Sequence, residues 1–418
     1  MKYVILQGEG MASVPNQDPG GKKPPHAAAT PNMDLLARHG ELGLAAVSTE
    51  GHPPGGAVTP LEILGYDPKK YHSGPAPFEA AGLGVALGEH DVAFRCSMVT
   101  LGVNAPRGRA SVREEVKKLG PQVTMEDATA GGVEDDEARE LIDAVNEQLG
   151  SEAIQFYPGK GPRHLMVWVG GKSRATCYDP QDVVGKAIGE FLPNGDGAEI
   201  LRQVMEASLV ILRDHPVNQQ RRDAGRKPAN CLWLWGQGRA LRLPSLTDQY
   251  QITGAVLAAT DLPRGVGICA GLEAVDPAAA AEGRGPDFLG LAEAALRELG
   301  KKDFVYVHAE MPSDVRLGDD QKAKLRFVEE FDQKLVGAIL EGLPKLGPHR
   351  LLLICDYNAA AASQPPVATP ERYMLFEGPV QTEKASRRGS KESEVKATQA
   401  RVRDATRLMS RLLSQGAG

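Results

Sequence analysis

The sequence predicts an α/β fold: a mostly parallel sheet flanked by helices, with a large inserted α+β domain. Three observations predict it. Near the C-terminal end, amphipathic stretches alternate with short apolar runs: DFLGLAEAALRELG precedes DFVYVHAE, and a long helix at about 320–343 precedes RLLLICDY. Such alternation implies parallel strands joined by right-handed crossovers. The middle of the chain, roughly 91–285, loses this regularity and mixes strands with helices. A length of 418 residues leaves room for two domains. The expected division is a discontinuous core, 1–90 plus 286–418, and an insert, 91–285.

Composition removes several classes of function. The 48 Lys and Arg against 54 Asp and Glu give a net charge of -6, mixed in sign along the chain. That is no electrostatic footprint for nucleic acid. No apolar run is long enough to span a membrane. MKYVILQGEG reads as a strand entering a loop, with no basic segment and cleavage site of a signal peptide. The five cysteines are widely spaced and form no CxxC pair, which fits reduced thiols and a cytoplasmic protein.

In chain order, Lys2 to Leu6 form the first strand and 12–30 a polar loop. Thr30 caps a helix with Pro31 in its first turn. A strand at Gly43 to Val47 then meets EGHPPGGAVTPLEILGYDP. Gly51, Pro53, Pro54, Gly55 and Gly56 demand a turn, and Val58, Leu61, Ile63 and Leu64 begin a short helix. A strand, a Gly-rich elbow and a helix is where α/β enzymes present a nucleophile, yet Gly55, Gly56 and Ala57 carry none. Helices are expected at 78–87, 110–119, 135–149 and 197–215, and strands at 92–101, 165–169 and 231–235. Ala255 to Ala259 and Val266 to Ala270 are short apolar runs. The polar stretch 379–402 reads as a mobile lobe, followed by a helix at about 396–414.

Function in a parallel sheet gathers at the carboxyl ends of its strands. There Glu9, His308, Glu310 and Asp356 are expected above one sheet edge. They are either a weak divalent-metal site or groups that cap helices and hold loops. The insert supplies cations and amides at loops and strand ends: Arg163, His164, His215, Asn218, Arg221, Arg222, Asn230, Gln237 and Arg264. Together they suit a phosphorylated or carboxylated small molecule; dispersed, they are solvated surface.

Long segments in order carry a family resemblance. They include TPNMDLLARHG, LEILGYDP, DVAFRCSMVTL, FYPGKGPRHLMVWVGG, LPNGDGAEILRQVMEAS, KPANCLWLWGQG, GVGICAGL and LAEAALRELGKKDFVYVHAE. The chain resembles the archaeal-type cofactor-independent phosphoglycerate mutases of the alkaline phosphatase superfamily. The resemblance implies an alkaline-phosphatase-like core and an inserted substrate-binding domain. It also implies two divalent metals, manganese or zinc, a serine on the elbow that carries the phosphoryl group between neighbouring glycerate oxygens, and cations from the insert that hold the substrate.

Carried over residue by residue, the chemistry is depleted. The serine position falls on Gly56 and the acidic residue beside it on Ala57. The first metal aspartate falls on Glu9. An aspartate and a histidine four apart fall on Ser313 and Leu317, and a later Asp-His pair becomes Asp356-Tyr357. A last metal histidine belongs near Pro365 to Val367, but no histidine follows His349. A loop histidine corresponds to Gly132 and an arginine to Ala76. Arg95, Arg163, His164, His215, Asn218 and Gln237 keep their family context. The expectation is a pseudoenzyme with remnant metal residues Glu9 and Asp356, no bound cofactor, and a binding or regulatory role toward an unidentified partner. The alternative is an active mutase or phosphatase-like enzyme with relocated chemistry, using Thr59, Ser313 or Tyr357. An empty Gly-rich turn before a helix still offers backbone amides to an anion.

Overall fold

The sheet is assembled around the first strand. The computed structural model describes residues 1–11, 28–47, 56–103, 116–276, 285–312, 315, 320–355, 370–378 and 400–414. Contacts divide the chain into two units, Met1–His72 with Arg242–Gly418, and Ser73–Leu241. The first unit begins with β1 (Lys2–Glu9) and β2 (Glu41–Ala46). The second holds β3 (Val92–Val103), β4 (Val123–Asp127), β5 (Ile154–Tyr157), β6 (Arg163–Trp168) and β7 (Cys231–Gly238). The chain then returns to the first unit with β8 (Gly254–Ala258), β9 (Glu273–Ala274), β10 (Phe304–Glu310), β11 (His349–Cys355), β12 (Pro370–Gly378) and β13 (Ala400–Val402).

The larger sheet runs β13-β2-β12-β11-β1-β10-β8-β9. β1 pairs in parallel with β10 on one side and β11 on the other. Every residue of β11 is buried, the continuous apolar pattern of a strand covered on both faces. β12 is antiparallel to both β11 and β2, and so supplies both antiparallel pairings of this sheet among the described residues. The core beside the sheet joins Val4, Leu6, Val305, Val307, Leu351 and Leu353 to the helix Phe288–Leu299. The second unit is an antiparallel sheet, β4-β3-β6-β5 with β7 also on β3, packed against the helices Asp135–Leu149 and Ala198–Arg213.

The insert boundaries differ from those expected. Residues 242–276 belong to the first unit because β8 pairs in parallel with β10 and β9 with β8. The second unit starts at Ser73 because the helix Ala76–Gly82 buries Ala76 and Ala80 against Ala93, Leu165 and Val167. The helix expected at 396–414 is shorter, Arg407–Leu413, since Ala400–Val402 pair with β2 as an edge strand. The apolar run Val266 to Ala270 lies in the helix Asp261–Cys269 and its C-cap. Of the lobe expected at 379–402, residues 379–399 lie outside the described residues, as does most of the helix at 110–119. All five cysteines are free. Among the described residues no helix is long and apolar enough to cross a membrane.

One long helical element is interrupted. Gln321–Glu330 passes through a π-helical turn, Phe331–Val336, into Gly337–Gly342. The turn carries the fully buried Asp332 to the start of the helix Pro31–His39. There Asp332 accepts from the Met33 amide at 2.7 Å and from the amide and side chain of Asn32 at 3.2 and 3.0 Å. Thr30 makes no side-chain cap bond, so a distant carboxylate does that work.

Candidate functional site

Of the expected elbow, only Gly56 and the helix after it fall among the described residues. β2 leads toward residues 48–55, which lie outside the described residues, and the chain re-emerges at Gly56. Gly56 is exposed and left-handed, with φ +55°. A methyl group there would meet only Leu262, at 3.8 Å. Space for a side chain exists; what restricts the position is its backbone conformation. The helix Val58–Ile63 beyond it is buried along its whole length. Thr59, in that helix, is 3 % exposed, so its side chain is buried.

The carboxyl ends of β1 and β10 bring three of the expected residues to one place. Glu9 is in register with Glu310, and Gln7 with His308. His308 Nε2 lies 3.0 Å from Glu9 Oε2. The imidazole is 2 % exposed and the carboxylate 20 %. Behind them the Tyr306 hydroxyl donates to Gln7 Oε1. β11 ends at Cys355, beside Gly8 in register. Asp356, Tyr357, Ser313, Leu317 and 365–367 lie outside the described residues. Among the described residues, no three His, Cys, Asp or Glu side chains form a group that could hold a metal ion.

The cations and amides of the insert separate into two kinds. Asn218 is fully buried and donates to the carbonyls of Leu212 and Ala229, both at 2.8 Å, while its oxygen accepts the Ala229 amide. Arg221 is equally buried. It donates from Nε to the Lys227 carbonyl at 2.8 Å and from Nη2 to the Ala130 carbonyl at 2.6 Å, and pairs through Nη1 with Glu137. Asn230 exchanges two hydrogen bonds with the backbone of Leu101, where the β3–β4 register shifts. These groups are consumed by the unit's own architecture, which corrects the expectation that Asn218 and Arg221 face a small molecule. Their polarity made them candidates; their burial was not legible in it.

The others are placed differently. Arg163 is exposed at the start of β6. His164, next to it, turns inward: Nδ1 accepts the Gly159 amide at 3.1 Å, and Nε2 is buried without a hydrogen-bond partner. Burial, against the pull of Asp135, pushes its pKa down to about 4. His215 caps the helix Pro216–Asp223 through Nδ1, and Arg222 donates to the Arg213 carbonyl at 2.9 Å. Gln237 donates to the Ala175 carbonyl. In the first unit, Arg264 pairs with Asp276. Gly132 is exposed with φ +66°, and Ala76 is fully buried.

One cluster has no signal in the sequence spacing. Arg95 pairs with Glu79 at 2.6 Å and stacks on Trp235, 4.7 Å from its ring centre. The Trp235 indole donates to Ser97 Oγ at 2.9 Å. Arg95 and Trp235 become neighbours only through the β3–β7 register.

Comparison with known proteins brings these features under one heading. A family model described as 2,3-bisphosphoglycerate-independent phosphoglycerate mutase matches residues 37–218. A Geobacter sulfurreducens protein, named a probable 2,3-bisphosphoglycerate-independent phosphoglycerate mutase, is 40% identical over 99% of this chain and 100% of its own. The mutase of that name from Methanothrix thermoacetophila is 39% identical over 85% of this chain and 86% of its own. Among solved structures, a cofactor-independent phosphoglycerate mutase from Thermoplasma acidophilum shares the fold, with TM-score 0.57 and 23% identity over 99% of both chains. The PH0037 protein of Pyrococcus horikoshii shares it at TM-score 0.70 and 24% identity, over 100% of this chain and 99% of its own. With such identity sustained over nearly its whole length, the chain belongs to the archaeal-type 2,3-bisphosphoglycerate-independent phosphoglycerate mutase family.

Proposed function

We propose that this chain recognises a phosphoglycerate-type ligand, a small molecule carrying both phosphate and carboxylate. The observation that supports it is the 40% identity to a probable mutase along 99% of the chain. The comparisons favour the family reaction, interconversion of 2- and 3-phosphoglycerate, as the outcome of binding. In this chain that activity requires a hydroxyl other than the elbow serine, from Thr59, Ser313 or Tyr357.

A specific observation favours a second reading, binding without phosphoryl transfer. Gly56 stands at the position of the family serine and offers no hydroxyl, and the nearby Thr59 is buried. Without a nucleophile the covalent route is closed. The donor set also does not fit two divalent ions. Ser313, Leu317 and Tyr357 stand where imidazole and carboxylate belong, and Glu9 is engaged with His308. Metal sites of this type depend on each ligand in turn, and the substitutions fall on several ligands at once.

Calorimetric titration of the whole chain with 3-phosphoglycerate tests the shared claim. Binding should be measurable and weaken about tenfold in Arg163→Ala, the loss of one charge-assisted contact. No heat at millimolar ligand overturns the proposal. An assay for 2-phosphoglycerate formation, with manganese added, then separates the readings. Turnover supports the first, and Thr59→Ala asks whether that hydroxyl carries it. Binding without turnover supports the second.

A further inference from the structure

The segment Ala400–Ser414 touches both flanks of the elbow. On the upstream side, β13 pairs in parallel with β2, Ala400 to Gly43 and Val402 to Ala45. The Ala405 amide then donates to the Ala46 carbonyl at 3.1 Å, at the last residue of β2. On the downstream side, the helix Arg407–Leu413 packs against the helix Val58–Ile63. A methyl group on Gly65 would stand 3.3 Å from Met409 Cβ and 3.5 Å from the Thr406 carbonyl oxygen. With φ +91°, Gly65 ends the elbow helix and lets the two backbones close on each other.

The same segment is fastened to the sheet at its far end. Arg350, 7 % exposed, donates from Nη1 to the carbonyls of Arg411, Leu412 and Ser414, while Nε and Nη2 hold Glu377 at 3.0 and 2.7 Å. A guanidinium on the last carbonyls of a helix satisfies groups that have no partner within it. Arg411 reaches Glu41, the first residue of β2, at 2.7 Å, and the Tyr373 hydroxyl at 2.8 Å. Leu408, Met409 and Leu412 are buried beneath.

We propose that Ala400–Ser414 is a strap that ties β2 to the helix Val58–Ile63, with Arg350 as its buckle and Met409 as its contact beside Gly65, just past that helix. That helix is six residues long. A helix that short has little stability of its own. Tied to β2 by one fastened segment, it stays closed; with the segment loosened, it opens locally while the centre of the sheet stays closed.

Amide hydrogen exchange on the full chain, without ligand, tests this independently of any reading of function. Arg350→Gln should raise exchange in peptides covering 405–414 and, with them, in 57–66 by about tenfold, with β1 and β10 unchanged. Met409→Gly leaves both arginine ties in place, removes the Cβ that faces Gly65, and should deprotect 57–66 by itself. Two results overturn the strap: unchanged exchange at 405–414 or at 57–66 in Arg350→Gln, or unchanged exchange at 57–66 in Met409→Gly.

Discussion

Gly56 combines an open surround with a backbone that L-residues resist. Its φ of +55° is the left-handed region, and its nearest neighbour to an added Cβ is 3.8 Å away. Gly56→Ser should therefore fold, with a loss of about 1–2 kcal/mol in urea unfolding from backbone strain alone. A loss near zero would mean that the turn relaxes to accept the side chain. His164 gives a second residue-scale expectation. Its pKa, near 6.5 when unfolded, falls to about 4 in the fold. Between those values the unfolded chain binds more protons than the folded one, so stability rises with pH through the window and is lost as pH falls from 6.5 toward 4. The amount is about 3 kcal/mol, and His164→Gln should flatten that part of the urea-midpoint profile. Arg221 is held by Glu137 and two carbonyls. Its replacement by Met leaves a carboxylate and two carbonyls without that donor, and should cost about 3–5 kcal/mol in the same measurement.

At the scale of elements, Asp332 shows how one helix completes another. The π turn in Phe331–Val336 aims its carboxylate at the amides that open Pro31–His39. Burial raises the Asp332 pKa despite those amide donors. Asp332→Ala should destabilise by about 2 kcal/mol, a lost cap together with buried unmet donors, with exchange rising first in 31–39. Elements packed on both faces were legible in the sequence: VYVHAE and RLLLICDY have the unbroken apolar runs of interior strands. Edge elements were not. Ala400–Val402 carries a charge between two apolar residues and lies inside a stretch that reads as helix, yet it pairs with β2 because that edge is open to it. The helix Asp261–Cys269 contains Pro263, Gly265 and Gly267; its Gly267 packs where an added Cβ would come within 2.6 Å of Val256, so contact rather than propensity fixes it. At the site, the convergence of Glu9 with His308 came from strand-end logic. The diversion of Asn218 and Arg221 into structural duty did not, because polarity does not reveal which way a side chain faces.

At the scale of the molecule, the second unit is one continuous stretch, Ser73–Leu241, whereas the first is split around it. The strand at the centre of the larger sheet comes first in the chain, and its neighbours begin at Phe304 and His349. Pulse-labelled exchange during refolding should find β3, β6 and β7 protected before β1, β10 and β11, since nearby pairings close sooner than distant ones. Simultaneous protection in both sheets would refute that order. On the ribosome the consequence is sharper. At roughly 5–20 residues per second, the opening strand waits some tens of seconds for either neighbour to be made. Through that interval both of its hydrogen-bonding edges are bare, and KYVILQ is the kind of apolar segment that seeks another chain. Cellular yield of this protein should therefore respond more to holdase chaperones, and to the pace of translation between the codons for Gly10 and Arg350, than to substitutions that strengthen the finished fold.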